Sequence, residues 1–242
     1  MSDRPAFYAL AAGGWRDWWT LLHPPYTLWH LSYVALGAAT ADRIDGFLLA
    51  LSLAGFFLGV GVAAHALDEL RGRPLRTRIP DPVLIGAATA ALIGAAAVGW
   101  VGVVRVSPWL LAFIAAGTFL VLAYNLELAG GRFHSDAWFA LAWGGFPALT
   151  GAFAQDGRLT APAVVVATAC VALSAAQREL STPVRRLRRR VASVSGTVTL
   201  DDGSTETVDA GSLRAAPEAA LKLLSVAVPL LAFGAVLARL VG

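Results

Sequence analysis

The chain has 242 residues, of which 57% are hydrophobic and only 14% charged, with a net charge of +3 and a mean hydropathy of +0.65. Counted with glycine and without tyrosine, about 65% is apolar, against roughly 45–50% for a soluble domain, so the excess is expected to face lipid. Low charge, the lack of a heptad and aperiodic glycines exclude a disordered chain, a coiled coil and collagen, and the single Cys170 excludes an internal disulfide.

Met1-Ser2-Asp3-Arg4-Pro5 lacks the basic start, short apolar core and cleavage site of a signal peptide, so the first span is expected to be retained. Residues 6–22 carry Phe7, Tyr8, Trp15, Trp18 and Trp19 among small residues, which predicts a short helix in the interface plane with tryptophans at headgroup depth. Seven apolar segments follow, at about 25–41, 46–67, 82–104, 108–128, 136–154, 160–179 and 217–240. Each reaches or approaches the roughly 20 residues a spanning helix needs. Breaks fall at Asp42-Arg43-Ile44-Asp45, Pro80-Asp81-Pro82, Ser107-Pro108, Gly130-Gly131, Asp156-Gly157 and Pro217. Small residues such as Gly94-Ala95-Ala96-Ala97 favour close helix packing, hence an all-α bundle.

Between spans six and seven, residues 183–216 form the one sizeable polar stretch. It opens with Arg185-Arg186-Leu187-Arg188-Arg189-Arg190, expected to fix topology and clamp anionic lipid headgroups. A strand over 191–200, an Asp201-Asp202-Gly203-Ser204 turn and a return strand over 205–208 predict a β-hairpin, 191–209 offering a surface for a partner or a second copy. The organisation is therefore a bundle over 1–182 with an N-terminal interfacial helix, a basic hairpin region over 183–216 and a final transmembrane helix over 217–242. Numbering loops alternately from the N-terminus places 15 of the 19 Lys and Arg residues in one set. The positive-inside rule makes that set cytoplasmic, with the N-terminus and hairpin inside and the C-terminus outside. The basic pI of about 9.5 follows from this asymmetry and calls for no nucleic-acid partner.

Charged groups at membrane depth are costly and mark candidate sites. His65-Ala66-Leu67-Asp68-Glu69 closes span two, with Arg71, Arg73, Arg76 and Arg78 close behind; Tyr124-Asn125-Leu126-Glu127 closes span four; Gln177-Arg178-Glu179 closes span six. All three ends fall on one side. Carboxylates suit Mg²⁺ and arginines suit phosphate oxygens, so this level fits a magnesium–diphosphate headgroup with its tail in the membrane. The plain alternative is that helix ends carry charge because they emerge into water. His23 and His30, seven apart on one helical face, together with His65 raise a haem or metal site as a further alternative.

The order of features resembles the UbiA-type membrane prenyltransferases. His23-Pro24-Pro25-Tyr26-Thr27-Leu28 with Ala35-Leu36-Gly37-Ala38-Ala39 resembles the family's opening. Ala64-His65-Ala66-Leu67-Asp68 stands where its first aspartate box ends span two, and Arg73-Pro74-Leu75 matches the element after it. Tyr124-Asn125-Leu126 occupies the span-four tyrosine element, Gly144-Gly145-Phe146-Pro147 the glycine–proline stretch of span five, and Gln177-Arg178-Glu179-Leu180 the core of the second box. The resemblance covers about residues 20–182. It implies a helical bundle around a lipid-open cavity and Mg²⁺-dependent transfer of isoprenyl groups from a diphosphate donor. The chain departs from the family in having seven spans rather than nine, His65 in place of an aspartate, no third aspartate in the first box, and Pro183 and arginines in the second.

A divergent intramembrane prenyltransferase is the leading expectation. His65, Asp68 and Tyr124 would be catalytic; Asp68, Glu69 and Glu179 would hold Mg²⁺; Arg73, Arg76, Arg78 and Arg178 would bind the diphosphate; Asn125 would orient the substrate. Trp29, Tyr33 and Trp143 are candidates for sheltering a carbocation. The second expectation is a non-catalytic isoprenoid- or lipid-binding protein, or a partner-recruiting subunit derived from that fold. A small transporter ranks last, since no span carries a charge near its centre.

Overall fold

The computed structural model describes residues 4–241, so the readings placed on Met1, Ser2, Asp3 and Gly242 lie outside the described residues. The described chain is mostly helical. A short α1 (Trp15–Leu21) precedes α2 (Pro24–Ala38), α3 (Gly46–Leu70), α4 (Asp81–Arg105), α5 (Leu110–Asn125), α6 (residues 136–156), α7 (Ala161–Arg189) and α8 (Ala210–Val241). Between α7 and α8 lie β1 (Ser195–Thr199) and β2 (Thr205–Asp209). A helix occupies each of the seven expected positions. Four, namely α3, α4, α7 and α8, are long and apolar enough to cross a membrane, and α5 is a shorter apolar helix.

Local chemistry sets the helix starts. Asp45 caps α3 by accepting from the amides of Phe47 and Leu48, Ser135 caps α6 through Trp138 N, and Thr160 caps α7 through Ala163 N. Pro24 and Pro25 open α2, where a missing N–H costs nothing. Two helices change pitch: α3 is π-helical over Phe57–Ala64 and α6 over Leu141–Gly145. Wide turns of this kind recur at functional sites.

Small residues draw the bundle together. A Cβ on Gly37 of α2 would stand 1.9 Å from Ala148 O of α6, and one on Gly151 would stand 2.1 Å from Val34 O, so these backbones meet without side chains between them. α8 packs along α2 and α7, and α4 covers the π-helical part of α3. Trp29 and Tyr33 sit in the resulting core at 0% exposure, the indole Nε1 donating to the phenol oxygen at 2.5 Å. They line neither cavity described below, so the role of sheltering a carbocation does not fit them. Outward faces carry large apolar groups, such as Ile93, Trp100, Val165 and Leu230.

The polar insertion is shorter than expected. α7 runs through Pro183 to Arg189 and α8 starts at Ala210, so the non-helical part is 190–209. The hairpin forms in the register Ser195↔Asp209 to Thr199↔Thr205, with Gly203 at φ +82 in its turn. Asp209 ties it to α8, its carboxylate accepting from Ser212 N at 2.7 Å. The predicted interfacial helix is confined to α1. Trp15, Trp18 and Trp19 are exposed there, while Asp17 turns inward and accepts from Gly13 N and Arg78 N.

The close approach of α2 and α6 gives a direct check. Gly37→Ala and Gly151→Ala each lower the stability of the purified protein by about 1–3 kcal/mol, read as a fall in Tm. Gly86→Ala, where an added Cβ meets nothing within 4 Å, leaves it nearly unchanged.

Candidate functional site

At the end of the bundle where α3, α5 and α7 finish, a cavity of about 740 Å³ opens. Its walls come from the N-terminal segment, α2, α3, the turn after α5, α6 and the last three turns of α7. Six arginines line it: Arg71, Arg178, Arg185, Arg186, Arg189 and Arg190. Three carboxylates, Asp68, Glu127 and Asp136, face them, which leaves an excess of three positive charges. Arg71 pairs with Glu127 at 2.8 Å, and Arg178 Nε meets Asp136 Oδ1 at 2.5 Å while its guanidinium lies 5.3 Å from the Phe139 ring. Arg185 bonds Thr182 Oγ1 and Arg189 donates to Pro5 O. Among the described residues, Arg185, Arg186, Arg189 and Arg190 have no carboxylate partner. Arg188 points elsewhere, into a buried pair with Glu218 of α8 at 2.6 Å.

The interior of the cavity is less charged. All four histidines of the chain line it: His23, His30, His65 and His134. Each directs Nδ1 at a backbone carbonyl: Leu21 at 2.8 Å, Trp143 at 2.8 Å, Gly61 at 3.1 Å and Tyr124 at 2.9 Å, respectively. Carbonyls only accept, so Nδ1 carries the proton and Nε2 presents a lone pair. The His23 and His65 rings lie 4.1 Å apart. Burial, and then the His65 ring, hold His23 well below its ordinary value, so it stays neutral. Gln177 is 3% exposed and its Oε1 has no partner.

The sequence-predicted residues divide into two groups. His65, Asp68, Tyr124, Asn125 and Arg178 converge on the cavity. Glu69, Glu179, Arg73, Arg76 and Arg78 do not line it. Glu69 is fully buried with its carboxylate turned into the loop after α3, accepting from Leu75 N at 2.9 Å, Thr77 N at 2.8 Å and Thr77 Oγ1 at 2.9 Å. It braces that loop, which has no regular secondary structure to satisfy its amides. Arg73 pairs with Asp81 and donates to Ile79 O, Arg76 and Arg78 are exposed on the same loop, and Glu179 is exposed on the far side of α7. The three carboxylates expected to share Mg²⁺ are thus separated, and among the described residues no three His, Cys, Asp or Glu form a metal-holding group. Of the three, only Asp68 lines the cavity.

What sequence reasoning missed is the continuation of α7. Arg178, Arg185 and Arg189 repeat at seven and four residues, a single helical stripe. Ending the sixth span at 179 and starting the polar stretch at 183 hid it. Gln177 was noted only as part of a box.

A second, apolar cavity lies between α3, α4, α5 and α6, lined by Phe56, Phe113, Ile114 and Phe146 among others. Val60 and Trp143 line both cavities, so the apolar space adjoins the floor of the polar one. No protein-family model, curated protein or solved structure matches this chain.

Two outcomes check this geometry. Glu69→Ala leaves three donors buried and unpaired, so it lowers stability by about 2–3 kcal/mol or more, read by thermal unfolding in the absence of any added metal. Because the folded form of His23 binds its proton less readily than the unfolded chain, its contribution is complete above about pH 6.5 and is lost as pH falls below that value. The Tm therefore falls between pH 7 and 5, and His23→Asn shows a shallower fall.

Proposed function

We propose that this chain is a divergent, UbiA-like intramembrane prenyltransferase with seven spans. The α7 arginines hold the diphosphate of an isoprenyl donor and the adjoining apolar cavity takes its tail. The observation that carries the reading is the unpaired positive charge of Arg185, Arg186, Arg189 and Arg190 at the rim of a cavity that becomes apolar below. Arg185 and Arg189 are half-buried, where a guanidinium without a counter-ion is costly, while Arg186 and Arg190 are exposed; phosphate oxygens match their forked donors. In this reading the rim is cytoplasmic, which the 15 of 19 basic residues on one side support by the positive-inside rule.

In this reading the arginines stabilise charge that develops on the departing diphosphate. Asp68, without a hydrogen bond to its carboxylate among the described residues, and His65 stand where a proton must be taken from the acceptor. Tyr124 and Asn125 shape the same wall, and Trp143, shared by both cavities, lies beside the position of the tail. The separation of Asp68, Glu69 and Glu179 favours a second reading, an isoprenoid-binding protein of the same fold without transfer activity. Charge neutralisation by arginine serves both.

The test is saturable binding of farnesyl diphosphate to the purified protein, followed by tryptophan quenching. Arg185→Ala and Arg189→Ala each weaken it at least 10-fold, Arg73→Ala changes it less than twofold, and removal of Mg²⁺ by a chelator leaves it in place. Absence of saturable binding with or without Mg²⁺ contradicts the proposal. Binding without diphosphate release selects the non-catalytic reading.

A further inference from the structure

Below the arginine rim, the cavity presents several acceptor atoms on which no donor of the described residues is seated. His23 and His30 are 8% and 5% exposed, each with Nδ1 committed to a carbonyl and Nε2 without a partner among the described residues. His65 is arranged in the same way, and Gln177 adds an unpartnered Oε1 at 3% exposure. These side chains belong to α2, its N-terminal cap, α3 and α7, yet they line one cavity. Of these atoms Gln177 Oε1 is itself sealed from solvent, where an unmet acceptor is costly, and the group that meets it and the imidazole nitrogens must bring O–H or N–H hydrogens. They do not form a metal-holding cluster. An ammonium group is disfavoured beside six arginines, which leaves an uncharged O–H or N–H donor, and of these a hydroxyl donates more strongly to an imidazole nitrogen than an amine does.

Depth fits this division. Eleven residues separate Arg189 from Arg178 on α7, about 16 Å at 1.5 Å per residue. Gln177 therefore lies at the deep end of the arginine stripe. A diphosphate held between Arg178 and Arg185 would bring its first prenyl carbon toward this level.

We infer that the floor formed by His23, His30, His65 and Gln177 is the nucleophile subsite, and that it takes a hydroxyl group, so that prenyl transfer is to oxygen. This rests on the prenyl-diphosphate reading above. In the step, the hydroxyl oxygen forms a bond to the first prenyl carbon. The bond from that carbon to the diphosphate oxygen breaks, and its electron pair leaves on the diphosphate. The hydroxyl proton passes to Nε2 of His65. Gln177 and the other imidazoles hold the acceptor.

Water is the smallest hydroxyl probe and needs no knowledge of the natural acceptor. The full chain, loaded with farnesyl diphosphate in ¹⁸O-labelled water, is expected to release diphosphate slowly and to yield farnesol carrying ¹⁸O. Gln177→Leu and His65→Phe slow that release at least 10-fold while farnesyl diphosphate binding changes less than twofold; Gln177→Met replaces the leucine variant if that one does not fold. Intact binding with no ¹⁸O in farnesol, or release at the wild-type rate in both variants, overturns the hydroxyl subsite and leaves the diphosphate site standing. Failure of farnesyl diphosphate to bind overturns both.

Discussion

Backbone carbonyls in an apolar bundle must find donors, and there is no bulk water to supply them. In this protein that constraint meets two wide helical turns, Phe57–Ala64 in α3 and Leu141–Gly145 in α6. A carbonyl in each accepts from a histidine: Gly61 O from His65 and Trp143 O from His30. The same pattern extends to Leu21 O with His23 and Tyr124 O with His134. The hydrogen bond that satisfies the backbone also fixes the tautomer, and so turns a basic nitrogen toward the cavity. Structure and site chemistry are therefore one arrangement.

The two adjacent acids at the end of α3 illustrate how position decides role. Asp68 and Glu69 differ by one residue, about 100° on a helix. Asp68 lines the cavity, whereas Glu69 is sealed beneath the loop and holds it through Leu75 and Thr77. The loop that Glu69 organises then places Arg71 and Pro74 at the cavity and carries Arg73, Arg76 and Arg78 away from it. A carboxylate chemically suited to a metal is used here to fold a loop. The positive wall comes instead from a helix that continues beyond the apolar segment.

Much of this was legible from the chain. The helix positions followed from apolar length, the hairpin from Asp202-Gly203 between β-branched runs, and the convergence of His65, Asp68, Tyr124, Asn125 and Arg178 from their common place at span ends. The direction of each side chain was not. Composition treats Asp68 and Glu69 alike, and only the loop's unpaired amides separate them. The sixth span reads as ending at 179 where apolar residues run out, but α7 passes through the exposed Pro183, carrying Arg185 and Arg189 on the stripe begun by Arg178. His65 and His30 meet carbonyls of the two π-helical stretches, a pitch that apolar periodicity does not report.

In the proposed reading the arginines of α7, and not those of the loop after α3, receive the anionic end of an isoprenoid whose tail enters the apolar cavity. A structure of the protein with geranylgeranyl diphosphate in a lipid disc tests it most directly. The account predicts phosphate oxygens within hydrogen-bond distance of Arg185 and Arg189 and the tail passing Trp143 toward Phe113 and Phe146. Phosphates bound at Arg73, Arg76 or Arg78, or a tail lying outside the bundle, would contradict it.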